Sequence, residues 1–323
     1  MRPYDPLFRN PHLITIASNF WSRSLDTVRF PVEAIRFRTE QHTEVLAHAQ
    51  RPEGPPKASL ILVHGLEGSS EGGYMRSLAH AALKAGYAVY RTNIRGCGGT
   101  IDWCRTLYHA GLTTDLHSLV RQISGPKYLV GFSLGGNQVL KVAAETDGIE
   151  ACDVRGVCSV SAPLDLAACS RKLEAPSNFI YQRRFVRSMK ERMRERQRLM
   201  PDVFQFNGVL GDIRTVWDLD DKITAPFFGF GSAENYYRTQ SSIACLHKIS
   251  VPTLLIAAKD DPLVPFDIYR HASITANPNI RLVATDHGGH VSFLARSHPR
   301  FWLDDTIVEW MESTESSKRG PHE

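Results

Sequence analysis

The chain has 323 residues, 42% hydrophobic and 22% charged, with a net charge of +4. That is ordinary globular composition, long enough for a large α/β domain carrying an insertion, and the slight charge excess demands no nucleic-acid partner. Six cysteines without a C-x-x-C pair argue against a zinc site and a disulfide framework, so neither metal nor cofactor is expected. Residues 1–10 mix charges and prolines without an apolar centre, unlike a secretory signal. No stretch reaches the roughly 20 apolar residues of a membrane span. The expected location is the cytoplasm, with peripheral membrane contact an open alternative.

An arm over 10–21 precedes two antiparallel strands, 28–37 and 44–50, and a turn at 52–56. Strand 58–63, helix 74–85, strand 88–93, helix 111–123 and strand 127–130 then alternate, the pattern of a mainly parallel sheet flanked by helices. Helix 137–145 and strand 154–160 continue it. The pattern breaks at Pro163, resumes with strands 251–258 and 280–284, and ends with helix 301–313 and a short polar tail from Glu315. The implied division is an arm and first part of an α/β core at 1–163, a helical cap insertion at 164–248, and the rest of the core at 249–323. Nothing in the sequence specifies an oligomeric state.

Between strand 127–130 and the following helix stands Gly131-Phe132-Ser133-Leu134-Gly135. A G-x-S-x-G in that context is a nucleophile elbow, a turn so tight that the serine's neighbours must be small. The partners should follow in the order acid, histidine. Asp260-Asp261-Pro262 follows strand 251–258, and His287-Gly288-Gly289-His290 follows strand 280–284, both at the carboxyl edge of the sheet where such folds place their sites. Asp261 is preferred to Asp260, which then reads as a solvated loop carboxylate or a helix cap. His290 is preferred to His287, because a Gly-Gly pair lets its loop approach the elbow. Serine, histidine and carboxylate together make an activated nucleophile. Oxyanion donors are expected from the N–H groups of Leu134 and Leu66, the latter in the loop after strand 58–63, which His64 braces.

The insertion holds the strongest charge feature. Arg183, Arg184, Arg187, Lys190, Arg192, Arg194, Arg196 and Arg198 face only Glu191 and Glu195, while Phe185, Met189 and Met193 recur at helical spacing near Met200. This is a basic amphipathic helix. It is read as a cap helix packed by its apolar stripe with its arginines solvated, Met189 and Met193 lining the substrate pocket. Contact with anionic lipid is the alternative.

These residues together resemble the YheT-like branch of the α/β-hydrolases (AB hydrolase superfamily, type 4), which spans bacterial esterases and mammalian membrane-anchored lipid hydrolases. The likeness rests on the runs 10–15 (NPHLIT), 64–70 (HGLEGSS), 93–98 (NIRGCG), Thr224-Ala225-Pro226 with Tyr236-Tyr237, Asp260-Asp261-Pro262 and 287–291 (HGGHV). It implies an α/β-hydrolase fold, a Ser133-Asp261-His290 triad and hydrolysis of carboxylic esters, with a small-molecule or lipid ester as substrate. Ile14 and Thr100 depart from the branch's usual glutamine and acidic residue. A non-catalytic ligand-binding protein on the same fold is the reading of another class.

Overall fold

The computed structural model describes residues 2–145, 152–206 and 208–318. The N-terminal arm is a helix, α1 (Pro11–Phe20), started by Asn10, whose side chain accepts from the amides of His12 and Leu13 at 3.0 Å each. Eight strands follow: β1 (Glu33–Glu40), β2 (Thr43–Gln50), β3 (Ser59–Val63), β4 (Ala88–Thr92), β5 (Lys127–Phe132), β6 (Val154–Val160), β7 (Thr253–Ala258) and β8 (Ile280–Thr285). They make one sheet ordered β1-β2-β4-β3-β5-β6-β7-β8, with β2 antiparallel to both neighbours and every pairing from β4 to β8 parallel. The first strand begins at Glu33 rather than at 28. Asp26 accepts from the amides of Val28 and Arg29 (3.2 and 2.9 Å), closing a turn there, and Pro31 has no N–H for a ladder.

Alternation along the parallel strands feeds two apolar layers. Leu60 and Leu62 of β3 join Met75 and Leu78 of α2 (Gly73–Lys84) and Trp310 and Met311 of the C-terminal helix Trp302–Lys318. Ile61 and Val63 join Leu119 of α3 (Thr114–Gln122) and Val139 and Val142 of α4 (Leu134–Ala144). The polar tail expected from Glu315 is helical through Lys318, and 319–323 lie outside the described residues.

The chain leaves the sheet after β6 and returns at β7. Between them lie α5 (Leu166–Leu173), α6 (Phe179–Leu199), helix Ala233–Gln240 and several short turns. A third apolar cluster holds this segment to the core. Met189 and Met193 of α6 meet Phe204 and Leu219, together with Leu107 and Leu263 from the loops after β4 and β7. The segment therefore lies across the carboxyl edge of the sheet.

Candidate active site

After β3 the chain pairs outward to β4, then crosses to the other side of β3 for β5, so the loops after β3 and β5 face one another at a topological switch point. Ser133, after β5, sits at φ 52° and ψ −121°, a conformation that costs a non-glycine residue about 1–3 kcal/mol. The flanking glycines are steric necessities. A Cβ at Gly131 would lie 2.2 Å from the Gly135 carbonyl oxygen, and one at Gly135 would lie 2.5 Å from that of His64.

Ser133 Oγ is 3.0 Å from Nε2 of His290, whose Nδ1 is 2.9 and 3.2 Å from Oδ2 and Oδ1 of Asp261. A carboxylate at Nδ1 fixes the proton there and turns the Nε2 lone pair toward the hydroxyl. Asp261 is 3% exposed and also accepts from the amides of Leu263 (2.8 Å) and Val264 (3.1 Å). Asp260 and His287 do not reach Ser133. Asp260 is not the solvated carboxylate or helix cap expected. Its Oδ1 accepts from the Gly289 amide at 3.0 Å and its Oδ2 lies 3.1 Å from His287 Nδ1, stapling the histidine loop. The glycine pair also serves a different approach from the one expected. A Cβ at Gly289 would meet Thr15 Oγ1 and Ile14 Cγ2 at 2.5 and 2.6 Å, and one at Gly288 would meet the Phe293 ring at 2.7 Å, so Gly289 admits α1 to the loop and Gly288 admits Phe293.

Three supports were not read as site residues. Thr15 Oγ1 donates to the Pro11 carbonyl (2.6 Å) and accepts from the His290 amide (2.9 Å). Lys172 donates to the carbonyls of Asp261 and Val264 at 2.6 and 3.0 Å, and Asn178 to that of Pro262 at 2.7 Å. The acid loop is thus pinned by the segment lying over it. Thr15 was reachable through its place in the 10–15 run; Lys172 and Asn178 carried no local signal.

On the opposite side of Ser133, Leu134 opens α4, so its N–H is among the four amides without an intrahelical acceptor. Leu66 lies in a turn closed by the Gly68 amide on the Gly65 carbonyl (3.0 Å). His64 braces this turn as expected. Its Nε2 accepts from the Ile94 amide at 3.1 Å, so Nδ1–H donates to the Gly65 carbonyl at 2.7 Å, and burial pushes its pKa down to about 4. Next to Leu66, Glu67 stands at φ 58° with its carboxylate buried against Arg192 (2.5 Å), Ser188 Oγ (2.5 Å) and Tyr108 Oη (3.3 Å).

That contact corrects the reading of α6. Arg192 and Arg196 are not solvated. Arg196 is 1% exposed, donates to the Cys104 carbonyl at 3.2 Å, and fits against Gly96, where a Cβ would stand 1.9 Å from its guanidinium. Arg183, Arg184, Arg187, Arg194 and Arg198 are exposed.

A cavity of about 120 Å³ opens beside Ser133 and His290, walled by Leu66, Leu134, Met189 and Met193. In its wall Asp220 is buried, accepts from Tyr237 Oη at 2.6 Å, and has its pKa raised by burial to about 6. A second space of about 540 Å³, framed by Thr15, Tyr181 and Arg184, reaches Ser133 and His290 from outside. Among the described residues no cluster of His, Cys, Asp and Glu could hold a metal ion, and no helix is long and apolar enough to cross a membrane.

Comparison with known proteins agrees with this architecture. A family model described as alpha/beta hydrolase fold matches residues 58–297. YheT of Escherichia coli (strain K12) is 32% identical over 94% of this chain and 91% of its own. A monoacylglycerol lipase of Saccharomyces cerevisiae is 28% identical over 79% of this chain and 59% of its own. Among solved structures, the Pyrococcus furiosus esterase Pf2001 superposes with a TM-score of 0.59 at 17% identity, covering 90% of this chain and 98% of that one.

Proposed function

The chain belongs to the YheT-like branch of the alpha/beta-hydrolase fold family, and from that premise we propose that it is a serine hydrolase of carboxylic esters bearing short- to medium-chain acyl groups. The observation that carries this reading is the unbroken line from Ser133 Oγ through His290 to Asp261, with contacts of 3.0 and 2.9 Å. Ser133 Oγ attacks the ester carbonyl carbon while His290 Nε2 takes its proton, and Asp261 stabilises the resulting imidazolium. The N–H groups of Leu66 and Leu134 hold the oxyanion. As the tetrahedral adduct collapses, the C–O bond to the alcohol breaks and His290 protonates the leaving oxygen. Water, deprotonated by His290, then attacks the acyl-serine; the acid leaves and the proton returns to Ser133. In this reading 164–248 acts as a cap, with Met189 and Met193 against the acyl chain.

The test is a fluorophosphonate probe together with a panel of p-nitrophenyl esters of increasing chain length. Labelling should map to Ser133, and Ser133→Ala should lose it along with about a thousandfold or more of the hydrolytic rate. Undiminished labelling of that variant, or a label on another serine, sinks the assignment. The apolar cavity and the likeness to a monoacylglycerol lipase support a second reading, hydrolysis of a lipid ester at a membrane surface. A rate that climbs with chain length and jumps above the substrate's micellar concentration favours it.

A further inference from the structure

The outer face of α6 carries a row of cations. Arg183, Arg187, Lys190 and Arg194, with Arg214, line a groove of about 750 Å³ in which Glu174 is the one carboxylate among the described lining residues. Glu191 offsets Arg187 at 2.8 Å. Burial, and then the charges of Arg214 and Arg194, lower the Lys190 pKa. At the start of the same helix Phe179 and Ile180 are exposed, Ile180 by 70%.

On another flank, α6 meets α1. The His12 ring stacks on Tyr181 with centroids 5.7 Å apart, joining the two helices. While Ile14 and Thr15 face inward, Leu13, Ile16 and Phe20 form an outward stripe, Phe20 exposed by 85%. Adjacent large apolar side chains left in water mark an interaction surface. The same two helices frame the outer approach to Ser133 through Thr15, Tyr181 and Arg184.

We propose that the exposed surface of these two helices docks on an anionic phospholipid bilayer, with Leu13, Ile16, Phe20, Phe179 and Ile180 entering the headgroup–acyl boundary and the cation row lying at the phosphates. A soluble polyanion would use the cations and leave the apolar stripe in water. A second copy would set one cation row near another. A bilayer satisfies both features and delivers an ester to the outer approach framed by Thr15, Tyr181 and Arg184; in that last respect the proposal rests on the ester-hydrolase reading.

The experiment is sedimentation of the full chain with vesicles of phosphatidylcholine, alone or with about 30% phosphatidylglycerol. Wild type should bind the anionic vesicles and not the neutral ones. Arg183→Gln/Arg187→Gln/Arg194→Gln should weaken that partitioning about a hundredfold. Leu13→Ser/Phe20→Ser should weaken it at least about tenfold. Both variants should hydrolyse p-nitrophenyl acetate at the wild-type rate, which also verifies their folding. Wild type that ignores anionic vesicles overturns the proposal. So does serine-variant binding equal to wild type, which indicates a polyanion site, or a wild-type dimer that Leu13→Ser/Phe20→Ser dissociates. Wild type that binds vesicles but hydrolyses no ester defeats the ester-hydrolase reading and leaves the docking surface standing.

Discussion

Asp260 and Asp261 are neighbours with separate tasks, and substitution should part them. Asp261 takes the imidazole and two loop amides, whereas Asp260 takes the Gly289 amide and His287. An asparagine at 261 can turn its amide N–H toward Nδ1 and hold the wrong tautomer, so Asp261→Asn should lower kcat by about a hundredfold or more. An asparagine at 260 keeps an oxygen for Gly289, so Asp260→Asn should stay within about tenfold of wild type. The opposite ranking, in steady-state kinetics on one ester, would reassign the acid. A one-residue shift along a loop leaves no trace in composition, which is why the sequence could only prefer Asp261 to Asp260; the contact of Asp261 with His290 supports that preference. Asp220 makes a pH prediction. Its folded pKa of about 6 exceeds the unfolded value of about 3.9. Its contribution to stability is therefore fully present below the unfolded value and lost as pH rises through about 6. The Tm of wild type minus that of Asp220→Asn should fall between about pH 4 and 6 and level off above. An unchanged difference across that interval would mean that Asp220 is solvated.

Among the elements, α6 carries two functions on one helix. Its Met189 and Met193 line the cavity, and its Arg192 ends on Glu67, the residue after Leu66. Met189→Ala or Met193→Ala should change the chain-length preference in an ester panel more than it changes the rate on acetate, because flexible methionines fill space around an acyl chain. Equal loss on all chain lengths would place these methionines in general packing alone. Arg192→Ala leaves the Glu67 carboxylate buried without its cation, a break that costs about 3–5 kcal/mol. It should lower Tm and also lower kcat on acetate about tenfold, with KM little changed, since the turn that presents the Leu66 amide loses its anchor. Arg192→Lys, which keeps the charge, should recover part of kcat. A fall in Tm with wild-type kcat below the transition would leave Arg192 a packing residue only. The strand–helix alternation and the apolar stripe of α6 were legible because periodicity reports which face is buried. The inward arginines were not. A basic residue buries only when a distant carboxylate or carbonyl awaits it, and Glu67 and Cys104 lie far away in the chain.

At the scale of the whole molecule, the break at Pro163 and the return at 251 were visible in the sequence, but the stitching between segment and core was not, because it runs through loops. Lys172 and Asn178 hold the acid loop, and His109, in the loop after β4, sits edge-on to Phe228, Phe230 and Tyr236 of the segment, with centroids 4.6, 5.3 and 5.9 Å away. Burial pushes the His109 pKa down to about 3, as it pushes that of His64 to about 4. Both fall below the unfolded value of about 6.5. Above that value neither imidazole is charged in either state. As pH falls below it the unfolded chain takes up protons first, and stability is lost progressively until the folded pKa is reached. Asp220 and Asp304, raised by burial to about 6 and about 7, act in the opposite direction over an overlapping interval, gaining stability on acidification. These two buried histidines and two buried carboxylates thus pull the Tm maximum in opposite directions. His109→Phe keeps an aromatic ring in the cluster and removes one of the histidines. Its Tm maximum should move to lower pH than that of wild type in a series from about pH 4 to 8, with the curves parallel above about 6.5. If the maximum stays in place, the imidazole gains its proton without unfolding, and the contact between His109 and the segment is open to water.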